Sequence, residues 1–211
     1  MKEAVMGAER VLSVSKVIPV VSVERAELAV DLAKALLEGG VRILEITLRT
    51  EDGLRAIGLI RKHCPDLVVG AGTVLNADQA REAQDSGAEF IISPGVNVQF
   101  LQDCKSGLKI PLIPGVSSAG EVMLALEYGL SCLKLFPAEL VGGVALLKAL
   151  QGPFSGVKFC PTGGINAGNA NSYLELENVL CVGGSWLSPK ELIERKQWGE
   201  ITKLAKMSRG I

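Results

Sequence analysis

A single lysine stands out from its surroundings in this chain. It lies in Cys132-Leu133-Lys134-Leu135-Phe136-Pro137-Ala138-Glu139, whose first half is otherwise an apolar, strand-like run. A central strand of a parallel sheet is covered on both faces and reads as a continuous apolar stretch. Lysine is rarely buried in such a place unless it is paired or used. Period-two alternation puts Cys132, Lys134 and Phe136 on one face and Leu133 and Leu135 on the other. If the leucines pack under helices, Lys134 points into the enclosed side of the sheet. Desolvation there disfavours the ammonium form and leaves an amine nucleophile. The plainer alternative is a structural lysine at a strand end, with its ammonium reaching water.

A carboxylate is equally out of place in Ile43-Leu44-Glu45-Ile46-Thr47-Leu48-Arg49. Alternation sets Glu45, Thr47 and Arg49 on the face of Ile43. A carboxylate beside an amine nucleophile suits iminium chemistry, because protons move on carbinolamine formation, on dehydration and at carbon. The alternative is an ion pair of Glu45 with Lys134 or Arg49 that holds the core, although buried pairs often add little net stability. Arg49 offers a bidentate fork for a substrate carboxylate. Gly70-Ala71-Gly72-Thr73 ends another apolar run with a hydroxyl; it lacks the third glycine of a dinucleotide fingerprint. Taken alone, Thr73 reads more readily as a helix N-cap. Two glycine pairs, Gly163-Gly164 and Gly183-Gly184, follow the last two apolar runs, where bare backbone amides suit an anion. His63 is the sole histidine, beside Cys64-Pro65 at a predicted helix end, so neither a metal centre nor a Ser-His-Asp triad is expected. No cofactor motif is present, which leaves the lysine as the electron sink.

One rhythm positions these residues: a short apolar run, a polar junction, then a helical pattern. The runs are Val17–Val23, Ile43–Arg49, Leu67–Thr73, Phe90–Ser93, Pro111–Pro114, the Lys134 segment, Val157–Pro161 and Val179–Val182. Between them the patterns predict helices near Ala26–Glu38, Gly53–His63, Asn76 to Gly87, Val98–Cys104, Ser117 or Ser118 to Tyr128, Val144–Leu150 and Asn169–Leu176, with a helical remainder. Eight such units of about 25 residues predict an α/β fold: a single-domain (β/α)8 TIM barrel over 1–211, with an N-terminal helical segment over 1–16. An open doubly wound sheet is the alternative. In such barrels catalytic groups sit at the C-terminal strand ends, and loops after the seventh and eighth strands form a recurrent phosphate site.

The 211 residues are 48% apolar and 21% charged, with a formal net charge of -1, so nothing marks a nucleic-acid or membrane-surface partner. Five scattered cysteines show no CxxC spacing, which argues against a disulfide framework or zinc site. No secretory signal or membrane-length apolar run is read, and a cytoplasmic location is expected.

Seven motifs in order carry a resemblance: Glu45-Ile46-Thr47-Leu48-Arg49-Thr50, Gly70-Ala71-Gly72-Thr73-Val74-Leu75, Ile92-Ser93-Pro94-Gly95, Pro111-Leu112-Ile113-Pro114-Gly115, Lys134-Leu135-Phe136-Pro137-Ala138-Glu139, Pro161-Thr162-Gly163-Gly164-Ile165 and Gly183-Gly184-Ser185-Trp186. Together they resemble the bacterial 2-keto-3-deoxy-6-phosphogluconate (KDPG) aldolases, which also act on 4-hydroxy-2-oxoglutarate (KHG). The resemblance implies a class I, Schiff-base aldolase without cofactor, a phosphorylated 2-keto acid substrate, a place in the Entner–Doudoroff pathway and a homotrimer. It makes Lys134 the Schiff-base lysine and Glu45 the acid/base, with Arg49 and Thr73 holding the pyruvyl carboxylate. It assigns Thr162 to stereochemistry at the new hydroxyl, Gly163, Gly164, Gly184 and Ser185 to the phosphate, and Phe136 to packing beside the lysine. The Thr-Leu-Arg-Thr after Glu45 differs from the pattern of the related 6-phosphogalactonate aldolases. Leu135 stands where phenylalanine is common, and the stretch from Val96 to Lys109 matches least. Two rivals remain: a phosphate-binding barrel without covalent catalysis, and a non-catalytic sugar-phosphate sensor.

Overall fold

The computed structural model describes residues 6–210. Strands β1 (Val17–Val21), β2 (Ile43–Thr47), β3 (Val68–Gly72), β4 (Ile91–Ile92), β5 (Leu112–Ile113), β6 (Gly115–Val116), β7 (Cys132–Leu135), β8 (Lys158–Pro161) and β9 (Val182–Gly184) alternate with helices, except that β6 follows β5 directly. All strand pairs are parallel, in a six-stranded sheet ordered β5-β4-β3-β2-β1-β9 and a three-stranded sheet ordered β6-β7-β8. Single bridges at Phe159–Val179 and Thr162–Gly183 join β8 to the β9 segment.

The strand register carries the argument made from alternation. Ile18, Ile43, Phe90, Ile92, Ile113, Cys132, Cys160 and Cys181 form one buried cluster together with Val11 and Leu12. Leu44, Ile46, Val69, Leu133 and Leu135 belong to a second cluster that includes the helix residues Leu32, Leu36, Ile57 and Ile60. Each strand thus divides its side chains between an enclosed side and a helix-covered side, as a parallel sheet requires. Fully burying one such aliphatic side chain contributes about 1.5–3 kcal/mol.

The segmentation differs from expectation at four places. The run Pro111–Pro114 becomes two short strands, because Pro114 has no N–H to give to a ladder and interrupts the pairing between Ile113 and Gly115. The fourth run is regular strand only at Ile91–Ile92, with single backbone bonds at Phe90 and Ser93 on either side, and the last strand begins at Val182 rather than Val179, which keeps a single bridge. At the N-terminus a helix spans Ala8–Leu12, shorter than the predicted 1–16; residues 1–5, including Val5, lie outside the described residues.

Helix boundaries follow local chemistry closely. Asn76 caps Ala77–Asp85 by accepting from Gln79 N–H, and Asn97 caps Val98–Lys105 by accepting from Phe100 N–H. Thr73 is therefore no cap. Ser118 caps Ala119–Glu127 in a capping box, accepting from Glu121 N–H at 3.4 Å while its own hydroxyl donates to Glu121 Oε2 at 3.2 Å. Burial pushes the Glu121 carboxyl up, but hydrogen bonds from the Ser117 N–H and hydroxyl and from Ser118 outweigh it, so it titrates below 4.5. A depressed folded value contributes stability above the unfolded value and loses it as pH falls through the folded value. Urea denaturation should show wild type more stable than Glu121→Gln at pH 7. That difference should shrink below about pH 4.5.

Candidate active site

Lys134 and Glu45 come together from positions 89 residues apart. Both are buried, at 4% and 1% exposure, and Lys134 Nζ donates to Glu45 Oε1 at 3.3 Å. The register explains the meeting. β2 and β7 turn these side chains to the enclosed side, above the level of Ile43 and Cys132. Gly72 on β3 leaves the room: a Cβ built there would stand 2.0 Å from Glu45 Oε1. Of the two ion pairs conceivable for Glu45, the structure makes the one with Lys134. Arg49 instead donates from Nε to Thr73 Oγ1 at 3.1 Å. The Phe136 ring centroid lies 5.4 Å from Lys134 Nζ, within cation–π range.

Below this pair the enclosed side is apolar. Burial pushes the Cys132 thiol up to about 11, and burial together with Cys160 pushes Cys181 up as well. These thiols stay protonated near neutrality and act as small hydrophobes, so they do not compete as nucleophiles.

Above the pair opens a cavity of about 570 Å³. Arg49, Phe136, Thr162, Gly163, Gly164, Gly184 and Ser185 line it, seven of the ten residues singled out from sequence. Lys134, Glu45 and Thr73 are not among the lining residues; Lys134 adjoins Leu135 and lining Phe136, and Thr73 accepts from lining Arg49. Thr73 adopts φ 57°. A β-branched residue in the left-handed region is strained, and such strain persists where surrounding contacts fix it. Its bond to Arg49 is one such contact.

The glycine loop and the lysine strand are fastened to each other. Ala138 N–H donates to Thr162 O at 2.8 Å and Glu139 N–H donates to Gly163 O at 3.1 Å. Gly163 and Gly164 take φ of 103° and 79°, and a Cβ at Gly164 would stand 2.5 Å from Glu139 Cγ. The Tyr173 hydroxyl donates in turn to Glu139 Oε1, and burial, followed by Glu139, raises the phenol well above its ordinary value. Thr162 is buried at the end of β8, and its hydroxyl lies 4.0 Å from Cys160 Sγ.

Sequence reasoning overlooked several contributors. Ser22 meets the Thr47 hydroxyl at 2.7 Å beside the cavity, and Ser188 and Lys190 line the wall beyond Ser185. Ser22 does interrupt the first apolar run, but near its end, where a small hydroxyl is ordinary; Ser188 and Lys190 lie in a polar stretch and carry no local signal. Glu139 lies inside the lysine motif, but its link to Tyr173 is a tertiary contact. His63 is exposed at a helix end, as expected. Among the described residues no three His, Cys, Asp or Glu side chains gather in a way that could hold a metal ion. No helix of the described residues is long and apolar enough to cross a membrane.

This chain is similar to known proteins in both sequence and fold. A KHG/KDPG aldolase of Escherichia coli is 51% identical over 206 residues, covering 98% of this chain and 96% of that protein. The crystal structure of the Legionella pneumophila KDPG aldolase, with pyruvate captured at low pH as a covalent carbinolamine intermediate, superposes with a TM-score of 0.93. It is 44% identical, over 96% of this chain and 98% of that one. The KDPG aldolase of Zymomonas mobilis with 3-phosphoglycerate gives a TM-score of 0.88 at 43% identity, covering 96% and 94%. The family model for KDPG and KHG aldolases matches residues 8–204, almost the whole described chain, and the chain belongs to that family.

Proposed function

We propose that this protein is a class I aldolase that cleaves 2-keto-3-deoxy-6-phosphogluconate to pyruvate and glyceraldehyde 3-phosphate, and 4-hydroxy-2-oxoglutarate to pyruvate and glyoxylate. The observation that carries the reading is the buried contact between Lys134 Nζ and Glu45 Oε1 beneath the cavity. The neutral Lys134 amine, its proton passed to Glu45, attacks the C2 ketone. Glu45 gives that proton to the carbinolamine hydroxyl, which leaves as water, so that an iminium and a carboxylate remain. Glu45, directly or through water, takes the C4 hydroxyl proton as the C3–C4 bond breaks. The bonding pair moves onto the iminium, which leaves an enamine and the free aldehyde. Glu45 returns its proton to C3, water adds to the iminium, and pyruvate departs from the regenerated amine.

In this reading Arg49 and Thr73 hold the pyruvyl carboxylate, and their mutual hydrogen bond fixes the two side chains as a donor pair. Thr162 sets the face on which the C4 hydroxyl lies. Gly163, Gly164, Gly184 and Ser185 take the phosphate through backbone amides and a hydroxyl. Phe136 keeps water from the amine. The two sheets are one closed (β/α)8 barrel in a single domain, in which β5 and β6 form one strand broken at Pro114. Hydrogen bonds from Ser93 N–H to Ile113 O and from Lys134 N–H to Pro114 O on either side of the break support this, as do the bridges between the β8 and β9 segments. The enzyme serves the Entner–Doudoroff pathway in the cytoplasm as a homotrimer, a statement supported by the family relationship.

Borohydride reduction in the presence of pyruvate should leave a single adduct of roughly 72 Da on Lys134, read by peptide mass spectrometry. Bound pyruvate without an adduct would leave a phosphate-binding barrel without covalent catalysis. Lys134→Ala should abolish turnover of both substrates. Glu45→Gln should lower kcat by about 10²–10⁴-fold while pyruvate still binds. Gly72→Ala, which pushes the Glu45 carboxylate off Lys134, should cost about 100-fold in kcat with the circular dichroism spectrum retained.

A further inference from the structure

The cavity wall carries a cation outside the set assigned above. Among the described residues lining it, the positively charged side chains are Arg49 and Lys190. Arg49 is engaged with Thr73. Lys190 opens the short helix after β9, five residues beyond Ser185 of the glycine cradle. Its Nζ rests 3.0 Å from Glu24 Oε1, on the segment after β1, and 3.7 Å from Glu194 Oε1. The hydrogen bond to Glu24 raises the Lys190 pKa, so the side chain is a full cation at neutral pH. The pair is more than half exposed on both sides, and solvent-exposed ion pairs of this kind are weak. Lysine is a compact charge on a flexible four-carbon stem, and it can exchange one oxygen partner for another. A phosphate dianion carries more charge and more acceptor oxygens than the carboxylate now held.

Two neighbours sharpen the point. Glu191 lines the same cavity, and its carboxylate opposes any anion placed there unless a cation offsets it. Ser188 also lines it. That residue is 4% exposed, and its hydroxyl has no hydrogen-bond partner among the described residues. Buried hydroxyls ordinarily find partners, so this wall is built for a polar ligand rather than an apolar one.

We propose that Lys190 is a specificity-determining residue that leaves Glu24 for the substrate phosphate and so favours phosphorylated over unphosphorylated 4-hydroxy-2-keto acids. The inference rests on the proposed aldolase reading and adds to it the residue that sets substrate preference. Glu24 is then a tuning partner: it holds the ammonium at the cavity rim and competes with the anion for it.

The test compares wild type, Lys190→Ala, Glu24→Gln and the double variant. Inorganic phosphate serves as competitive inhibitor of 4-hydroxy-2-oxoglutarate cleavage, and kcat/KM is measured for both substrates. Lys190→Ala should weaken phosphate inhibition roughly three- to tenfold, the scale of one charge-assisted hydrogen bond near solvent, and lower the phosphorylated-to-unphosphorylated kcat/KM ratio by a similar factor. Glu24→Gln should strengthen phosphate inhibition, and that gain should vanish in the Lys190→Ala background. Wild-type inhibition in Lys190→Ala would overturn the proposal. So would a Glu24→Gln gain that persists in full without Lys190, since Glu24 would then act through the general field. If wild type cleaved neither substrate, the aldolase reading would fail. Calorimetric titration of inorganic phosphate into the same four proteins would still decide the role of Lys190.

Discussion

The contact on which this structure depends is an ammonium and a carboxylate 3.3 Å apart in a place almost without water. Taking two charges out of solvent costs several kcal/mol per ion, and their attraction repays this only when geometry is good. A protein that needed only stability would do as well with two leucines. Retention of the pair therefore calls for a use, and proton exchange between a nucleophilic amine and its neighbour is the use that fits. The surroundings are arranged around that cost. Gly72 gives the carboxylate its space, protonated cysteine thiols fill the floor without adding charge, and Phe136 presents a ring face to the ammonium. A larger residue at position 72 or an ionised thiol below would disturb the pair directly.

The same arrangement ties the two ends of the cavity together. The segment after β7 leaves Lys134 and pairs immediately with the loop after β8 through Ala138 and Glu139. The position of the amine and that of the glycine cradle are therefore not independent. Glu139 blocks any side chain at Gly164 and is itself held by Tyr173. In the proposed reading, a substrate anchored by an anion at the loop has its ketone delivered at a distance set by these backbone hydrogen bonds. Backbone pairing varies little with side-chain motion, which is the kind of preorganisation that converts binding into rate.

Much of this was legible in the chain because the relevant signals are local. Lys134 and Glu45 break apolar runs, alternation fixes their side, and Asn76, Asn97 and Ser118 mark helix starts by side-chain chemistry that acts over three residues. The pairing of Lys134 with Glu45 rather than Arg49 depends on register across distant strands, and sequence left it open. The break at Pro114 was visible as a proline. Its effect was not, because whether a missing N–H matters depends on which neighbour needs it. The left-handed conformation of Thr73 runs against its residue type and is imposed by tertiary contacts. Residues of the outer wall left no trace in the pattern. Ser188 and Lys190 follow the glycine pair in a polar stretch where serine and lysine are ordinary, and only the fold brings them to the cavity.

That last asymmetry has a physical basis. Reaction at the lysine requires groups in places where they are costly, and costly residues are conspicuous. Selection among substrates at the rim needs only modest differences in free energy, roughly 1.4 kcal/mol for each factor of ten. Exposed groups supply such differences at little cost to the fold, so they need not disturb the apolar pattern. Lys190 sits at that boundary. It is exposed enough to be unremarkable in sequence, yet it lines the cavity while its ammonium rests on Glu24. The pair proposed to carry the reaction and the cation proposed to sort its substrates thus occupy opposite extremes of burial. Each lies where its energetic task can be met: the first needs low dielectric to bring an amine and a carboxylate into proton exchange, and the second needs freedom to move between two oxygen partners.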